Sequence, residues 1–269
     1  MRRLLSQRAP GSKVDISVLA CSKGPEVYSI LWFIRSARPD LKVSMRAVDI
    51  SQEILEFAER GVYSLNSDLN AANEVGAERV DVAWNTRRDQ NAPMFERMTK
   101  KEVAAMCEVE GDNARIRSWL KEGVKWLCAD ASDPELGCVL GAQDIVVANR
   151  FLCHMQAPSA ERCLRNVARL VKPGGYLFVS GIDLDVRTRV ARDLGWKPVT
   201  EMIREVHEGD PSLSQGWPLE YWGLEPFRDD RRDWRIRYAS VFQIGEHLES
   251  GQNSGDMVLG GGTIADGGL

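Results

Sequence analysis

The sequence predicts an α/β fold built on a doubly wound, mostly parallel, Rossmann-like sheet. Short apolar segments alternate with amphipathic segments of helical period over the first 180 residues, and most of the apolar segments end in small or polar residues. Because strands that alternate with helices form βαβ units, the strands of such a chain lie parallel. The prediction includes an insertion after the second helix and an antiparallel last strand.

Five strands and three helices follow from this pattern. The strands are predicted over 13–20, 43–48, 124–128, 144–148 and 176–180, and the helices over 25–37, 51–60 and 159–171. Gly61 is expected to end the second helix and Lys172-Pro173-Gly174-Gly175 the third, because glycine and proline terminate helices. A further helix is predicted near 100–109 and a last strand over 235–244.

Residues 1–250 are predicted to form one domain, in which two segments interrupt the alternation. The insertion over 63–122 is expected to form the acceptor pocket together with 210–234, and its helix near 100–109 is expected to be a cap or a dimer surface. The segment 210–234 carries three prolines among aromatic residues, a composition that favours either a lid over an acceptor pocket or a cover for the core. The Gly-rich tail over 251–269 has no periodicity and is expected to be flexible.

The composition excludes several classes of protein. The chain has 269 residues, of which 43% are hydrophobic and 28% charged, so it can bury a sizeable core. The formal net charge of −4 argues against a nucleic-acid binder, and no segment is apolar enough for a membrane span or a signal peptide. The six cysteines show no C-x-x-C spacing, which is typical of reduced thiols. We therefore expect a cytoplasmic protein without a metal site.

A ligand site is expected beyond the carboxyl ends of the strands, where an open α/β sheet reverses its strand order. The residues that follow the first four predicted strands are the candidates for this site: Ala20, Cys21, Ser22, Gly24 and Glu26 after the first, Asp49 and Ile50 after the second, Asp130 and Ala131 after the third, and Asn149 and Arg150 after the fourth.

The loops after the strands narrow the choice of ligand. Asp49 stands where an acid would bind ribose hydroxyls, which fits either NAD or S-adenosylmethionine. NAD requires G-x-G-x-x-G after the first strand, where Gly24 is the only glycine, and the chain has no P-loop motif. A nucleoside without a pyrophosphate remains. S-adenosylmethionine fits, with its ribose on Asp49, its adenine near Asp130 and its amino acid end at the first loop.

Three motifs resemble those of known methyltransferases. Residues 19–30, LACSKGPEVYSI, resemble the C-S-x-G-x-E-x-Y-S signature of the chemotaxis receptor (CheR-type) methyltransferases, and Asp49-Ile50 with residues 58–63 is similar to that family's D-I…A…G-x-Y. Residues 172–175 resemble the K-P-G-G turn of class I methyltransferases generally. The resemblance covers about residues 14–182 and implies the class I fold, S-adenosylmethionine as cofactor, and methyl transfer as activity.

The chain also departs from the family's pattern. Its first strand begins almost at once, so the family's helical N-terminal domain, which meets the receptor, is expected to be missing. The order Asn149-Arg150 replaces the family's R-N, and His154 stands where the family has a Tyr that faces the methyl donor. These departures favour a different acceptor. The other two histidines, His207 and His247, are expected at the surface.

Several residue roles stay open at this point. Glu26 would accept the amino group of the cofactor, or it is simply favourable in the first turn of a helix. Gly24 is expected to let the ligand approach the backbone. Asp130 contacts adenine or caps a helix. Arg150 binds a substrate carboxylate or pairs with an acid. His154 is a general base or a half-buried structural histidine.

The function predicted from these observations is S-adenosylmethionine-dependent methyl transfer to an oxygen or nitrogen nucleophile of a small molecule, with His154 and Arg150 as the catalytic candidates. Asn149 is assigned to the cofactor site. A protein carboxyl (glutamate) methyltransferase of chemotaxis-like signalling is the alternative enzyme. A non-catalytic S-adenosylmethionine-binding regulatory protein is the third reading, and a homodimer is considered for the assembly.

Overall fold

A computed structural model describes residues 1–64, 99–209 and 225–245 of the chain. Its strands are β1 (Lys13–Leu19), β2 (Lys42–Asp49), β3 (Val62–Ser64), β4 (Cys107–Glu110), β5 (Asn113–Ile116), β6 (Val124–Cys128), β7 (Gln143–Asn149), β8 (Val171–Ser180), β9 (Lys197–Pro198) and β10 (Val241–Gln243). Its α-helices are α1 (Arg2–Ser6), α2 (Pro25–Ala37), α3 (Gln52–Arg60), α4 (Lys100–Met106), α5 (Ser118–Lys121), α6 (Leu136–Leu140), α7 (Ala157–Arg169), α8 (Leu184–Asp193), α9 (Ile203–Glu208) and α10 (Trp234–Arg237).

Seven strands form one sheet in the order β6-β2-β1-β7-β8-β10-β9. The first five strands of that order are parallel to their neighbours, whereas β10 runs antiparallel to both β8 and β9. The chain leaves β1 toward one side of the sheet and later returns to build the other side from β7, so the strand order reverses between β1 and β7. The predicted doubly wound, mostly parallel fold with an antiparallel last strand is confirmed.

The central strands are buried on both faces, which explains their nearly continuous apolar sequence. Alternate residues of β7 enter two different hydrophobic clusters: Ile145 and Val147 face the cluster that contains α2, and Val146 and Ala148 face the cluster that contains α7 and α8. The sheet therefore lies between two helical layers, and the site at its edge rests on a core packed from both sides.

The insertion folds differently from its prediction. The helix predicted near 100–109 ends at Met106, and Cys107–Glu110 is a strand that pairs with Asn113–Ile116. The two residues between them include Gly111, which has a φ of +58°, and such a turn favours a hairpin. Together with β3 these strands form a separate three-stranded antiparallel sheet, which the sequence analysis did not predict.

Two boundaries near the C-terminal half are also corrected. Helix α7 ends at Arg169, and Val171 already belongs to β8. The K-P-G-G segment forms an irregularity within that strand, where the register against β7 shifts. The last strand predicted over 235–244 is shorter, because Trp234–Arg237 is a helix and only Val241–Gln243 joins the sheet.

Several predictions concern residues outside the described part of the chain. These are the tail over 251–269, His247, most of the insertion (65–98) and most of the proposed lid (210–224). Among the described residues, no helix is long and apolar enough to cross a membrane.

Candidate active site

The backbone at the carboxyl edge of the sheet is unusual next to the point where the strand order reverses. Ala20 and Ser22 after β1 and Arg150 after β7 all have positive φ, at 50°, 48° and 58°. Non-glycine residues rarely adopt this conformation, and it costs about 1–3 kcal/mol unless the surrounding structure imposes it. Three residues with this uncommon conformation therefore lie at the edge where the sequence predicts the ligand site.

Asp49 ends β2 and holds the first loop in place. Its Oδ2 accepts a hydrogen bond from the backbone N–H of Ser22 at 2.8 Å, and its Oδ1 accepts one from the N–H of Ser51 at 3.1 Å. Ser51 in turn caps α3 by accepting from the N–H of Ile54. A carboxylate has about four acceptor positions, so these two bonds leave Asp49 able to bind further donors such as ribose hydroxyls.

Glu26 lies in the first turn of α2 and contacts the end of β7. The Nδ2 of Asn149 donates to its Oε1 at 2.6 Å, and the Oγ of Ser180, at the end of β8, donates to Oδ1 of Asn149 at 2.9 Å. Burial raises the pKa of Glu26, against the opposing effects of the Asn149 hydrogen bond and the positive charge of Arg150. The carboxylate is therefore placed to gain from an additional cationic partner.

The tyrosines of the two family-like motifs support the site rather than line it. Tyr28 is buried and donates its hydroxyl to the carbonyl oxygen of Ala58 at 2.7 Å, which joins α2 to α3. Tyr63 donates to the carbonyl oxygen of Lys23 at 2.6 Å and so holds the first loop. Gly61 ends α3 with a φ of +57°, and a Cβ there would lie 3.2 Å from the Tyr28 hydroxyl.

Gly24 is required by protein packing, and the predicted approach of a ligand to its backbone stays a prediction. Its φ is +84°, and an added Cβ would lie 2.9 Å from the Trp126 ring and 3.1 Å from Cβ of Ala58. Its neighbour Cys21 is also internal, and burial raises the pKa of its thiol. Both residues therefore face the protein interior and support the conformation of the loop.

The residues after β2 and β6 form the next part of the edge. Ile50 is 71% exposed directly beside Asp49, a position that suits contact with a planar apolar ring. Asp130 is exposed and accepts a hydrogen bond from the N–H of Ser132 at 2.8 Å. It does not cap α6, because Glu135 is the N-cap of that helix. The carbonyl oxygen of Ala131 accepts from Sγ of Cys163 at 3.6 Å.

Arg150 is held by the backbone of the neighbouring strand end. Its N–H donates to the carbonyl oxygen of Ser180 at 2.9 Å, and a Cβ on Gly181 would lie only 2.6 Å from Cα of Arg150. The absence of a side chain at Gly181 therefore leaves room for the backbone of Arg150. The Arg150 side chain is exposed, and so is that of His154 four residues later, at the end of a 3₁₀ turn.

His207 is not at the surface, in contrast to its prediction. It is 7% exposed, its Nε2 lies 2.7 Å from the carbonyl oxygen of Glu225, and its ring packs 4.8 Å from that of Tyr238. Of the two histidines that the structure describes, only His154 is exposed to solvent.

Ser180, the last residue of β8, and Gly181, which follows it, were not among the predicted site residues. Strand β8 lies beside β7 and ends at the same edge, but the predicted site included only residues at the ends of the first four predicted strands. The sequence signal for this part of the edge was the polar Ser180 at the end of the apolar segment 176–180. Among the described residues, no three His, Cys, Asp or Glu side chains are grouped so that they could hold a metal ion.

Comparison with known proteins agrees with the resemblance seen in the motifs. Residues 1–79 match the family model "CheR methyltransferase, SAM binding domain", and residues 89–179 match the model "Methyltransferase domain". The match over the first loop and Asp49 confirms S-adenosylmethionine (SAM) as the predicted cofactor. The exposed Ile50, the remaining acceptor positions of Asp49 and the partly buried Glu26 carboxylate fit its adenosine and ammonium groups.

Two curated relatives of this chain are named as methyltransferases. The chain is 25% identical over 213 residues to "Probable biofilm formation methyltransferase WspC" of Pseudomonas aeruginosa, covering 77% of this chain and 44% of that protein. It is 22% identical over 173 residues to "Chemotaxis protein methyltransferase 2" of Vibrio cholerae, covering 63% of this chain and 51% of the relative. The chain thus spans about half the length of these relatives.

A solved structure of similar kind is the N-methyltransferase NodS from Bradyrhizobium japonicum in complex with S-adenosyl-L-homocysteine. The alignment has 14% identity and a TM-score of 0.36, and it covers 73% of this chain and 71% of NodS. The assignment of the fold here depends on the strand order and direction of the sheet itself.

Proposed function

We propose that this chain, which carries a CheR-type SAM-binding region followed by a methyltransferase domain, transfers a methyl group from SAM to an oxygen or nitrogen nucleophile of a small molecule. One observation carries the proposal: two carboxylates, Asp49 at the end of β2 and Glu26 in the first turn of α2, lie at the edge of the sheet where its strand order reverses. Asp49 bonds the loop after β1 through the N–H of Ser22, and Glu26 follows the same loop and bonds the end of β7 through Asn149, so both carboxylates contact elements of one edge.

Different residues of the site bind different parts of the cofactor. Asp49 accepts hydrogen bonds from the ribose hydroxyls, Ile50 covers one face of the adenine, and Asp130 with Ala131 lies at its edge. Glu26 accepts the ammonium group of the methionine end, and Asn149 holds that carboxylate in place. SAM supplies an electrophilic methyl group on a sulfonium, so the protein's main task is to align the acceptor with it and to exclude water.

The acceptor side is assigned to Arg150 and His154, which are both exposed and follow β7. A hydroxyl or amine acceptor loses a proton during methylation, and His154 is placed to take it as a general base. A carboxylate acceptor needs no base. In that case the guanidinium of Arg150 would orient it by a bidentate contact, which the constrained Arg150 backbone would support.

A protein carboxylate is the second candidate acceptor. It is supported by the match of residues 1–79 to the CheR SAM-binding domain and by the names of the relatives. A non-catalytic SAM-binding regulator is the third candidate, and the exchange of R-N for Asn149-Arg150 is the feature that favours it.

The test is methyl transfer from SAM with a labelled methyl group, in the presence of either a small-molecule fraction or a protein fraction of a bacterial extract. Label in the small-molecule fraction, lost in Asp49→Ala, supports the main proposal. Base-labile label in protein supports the carboxyl alternative. Binding of S-adenosylhomocysteine without transfer to either fraction would leave the regulatory role, and absence of binding would contradict all three.

The cellular setting belongs to the same proposal. The six cysteines show no C-x-x-C spacing, which favours reduced thiols and hence the cytoplasm. The net charge of −4 argues against a nucleic-acid partner, and we propose no membrane partner. A homodimer through the inserted antiparallel sheet is the assembly that we would test first, by measuring the mass of the protein in solution.

A further inference from the structure

The side-chain amide of Asn149 connects three elements at the carboxyl edge. Its Nδ2 donates to Oε1 of Glu26 at 2.6 Å, and its Oδ1 accepts from Oγ of Ser180 at 2.9 Å. Glu26 lies in the first turn of α2, Asn149 ends β7, and Ser180 ends β8. The hydrogen bonds therefore cross the point at which the strand order reverses.

The donor and acceptor chemistry determines which way the amide points. An ionised carboxylate only accepts hydrogen bonds, so Nδ2 of Asn149 must face Glu26. The amide oxygen then faces Ser180, whose hydroxyl is able to donate. Rotation of the amide by half a turn would bring its oxygen against the Glu26 carboxylate, and the Ser180 hydroxyl opposes that rotation by bonding the oxygen where it lies.

We infer that Ser180 is a positioning residue for the methionine end of the cofactor: it orients Asn149, and Asn149 holds the Glu26 carboxylate toward the cofactor's ammonium group. This inference rests on the proposed function, because it depends on Glu26 as the ammonium-binding residue. Ser180 does not need to contact the cofactor. Its backbone carbonyl also binds the N–H of Arg150, so one residue organises both the cofactor side and the acceptor side of the edge.

The charges around Glu26 indicate what losing this contact would do. Burial raises the pKa of Glu26, while the Asn149 hydrogen bond and the charge of Arg150 lower it. Cys21, the other titratable group beside it, stays a neutral thiol because burial raises its pKa, helped by Asp49. A loosened Asn149 would therefore let Glu26 take up a proton at a higher pH and lose its attraction for an ammonium group.

The test measures binding of S-adenosylhomocysteine by calorimetry from about pH 5 to about pH 8. In Ser180→Ala we expect the dissociation constant at neutral pH to rise about 3–10-fold, the usual effect of one lost hydrogen bond. We also expect the pH below which affinity falls to move upward. Ser180→Thr keeps the hydroxyl and should restore the wild-type pH profile. Ser159→Ala, whose hydroxyl contacts Arg162 instead, is the matched control.

A double-mutant cycle separates positioning from a general structural effect. In an Asn149→Ala background, Ser180→Ala should add little further loss, because its effect passes through Asn149. Equal losses in both backgrounds, or an unchanged pH profile in Ser180→Ala, would overturn the inference. If Ser180→Ala does not fold, Ser180→Cys keeps the size and weakens the donor, and the same outcomes apply. The proposed function fails separately, if wild-type protein does not bind S-adenosylhomocysteine or Glu26→Gln binds it equally well.

Discussion

The two edges of the main sheet use carboxylates in opposite ways. At the amino edge, Asp144 accepts from Arg8 at 3.0 Å, from Lys172 at 3.1 Å and from the N–H of Asp15 at 2.8 Å. Asp15 itself pairs with Lys13 and Lys172. At the carboxyl edge, Asp49 and Glu26 have backbone and amide donors as their hydrogen-bond partners.

The pKa shifts follow the same division. Burial would raise the pKa values of Asp15 and Asp144, but hydrogen bonds and lysine or arginine charges outweigh it and lower them. For Glu26 burial prevails and raises the pKa. The amino edge thus satisfies its charges within the protein, whereas the carboxyl edge keeps acceptor capacity for a ligand. The lowered pKa values mean that ionised Asp15 and Asp144 stabilise the fold at the amino edge, whereas the raised pKa means that ionisation of Glu26 at the carboxyl edge costs stability.

The largest effect is expected at His154, which is exposed and therefore contributes little to folding. If the acceptor is a hydroxyl or an amine, His154→Ala should lower turnover by about 10²–10⁴-fold, the range of a positioned general base. Cofactor affinity and melting temperature should hardly change. Steady-state kinetics measure this effect, with the buried His207→Ala as a contrast that should lower stability instead. Full activity of His154→Ala across pH would direct attention to Arg150→Ala and a raised acceptor KM.

At the amino edge, Asp144→Ala should lower the free energy of unfolding by about 2–3 kcal/mol, because it removes three hydrogen bonds at a mostly buried site. The figure is kept low because Arg8 and Lys172 are each about one-third exposed and regain water. Urea unfolding measures the loss. Affinity for S-adenosylhomocysteine should stay within twofold of wild type at a temperature where the variant is folded, and a large loss of affinity would show that the two edges are not independent.

Asp49→Ala is the matching change at the carboxyl edge. It should weaken SAM binding by about 1–3 kcal/mol, since charge-assisted hydrogen bonds to the ribose are lost. Calorimetry on the folded variant provides the measurement, and Asp49→Asn, which keeps the size and one acceptor oxygen, should lose less. Unchanged affinity in both variants would remove Asp49 from the site and leave it as a loop-tethering residue.

The smallest expected effect is a difference between the pH at which cofactor affinity is lost and the pH at which the protein unfolds. The lowered pKa values of Asp15 and Asp144 mean that their stabilisation is present above about pH 4, the unfolded value, and is lost as the pH falls through the folded pKa. The raised pKa of Glu26 has the opposite sign. Its contribution to the stability of the free protein is present below the unfolded value and is lost as the pH rises through the folded pKa.

Cofactor affinity should therefore decline on acidification before the protein unfolds, because binding an ammonium group needs the Glu26 carboxylate. Calorimetric titrations and circular dichroism over the same pH series measure the two processes. Glu26→Gln should bind more weakly at neutral pH and show a flatter pH profile. Loss of affinity and loss of structure at one and the same pH in the wild type would contradict the assignment.

Much of the fold was predictable because its signals are local. The helix over Pro25–Ala37 was predicted at its exact bounds, and so was β6, since apolar periodicity and the residues that begin and end an element act within a few positions. Asp49, Glu26 and Asn149 were predictable as site candidates for the same kind of reason. Asp49 and Asn149 end parallel strands, Glu26 begins the helix after another, and all parallel strands end at one edge.

The sequence by itself therefore predicted the five parallel strands of the main sheet and the class of cofactor, through periodicity and three short motifs, and the ligand site at the carboxyl edge stays a prediction. Only the tertiary structure decided that Gly24 faces Trp126, that His207 is buried and that Ser180 donates a hydrogen bond to Asn149. It also decided that Cys107–Glu110 is a strand, since a short amphipathic segment gains its hydrogen bonds only from a partner strand. These features depend on contacts between residues that are far apart in the chain, and a local sequence pattern does not show which distant residues come into contact.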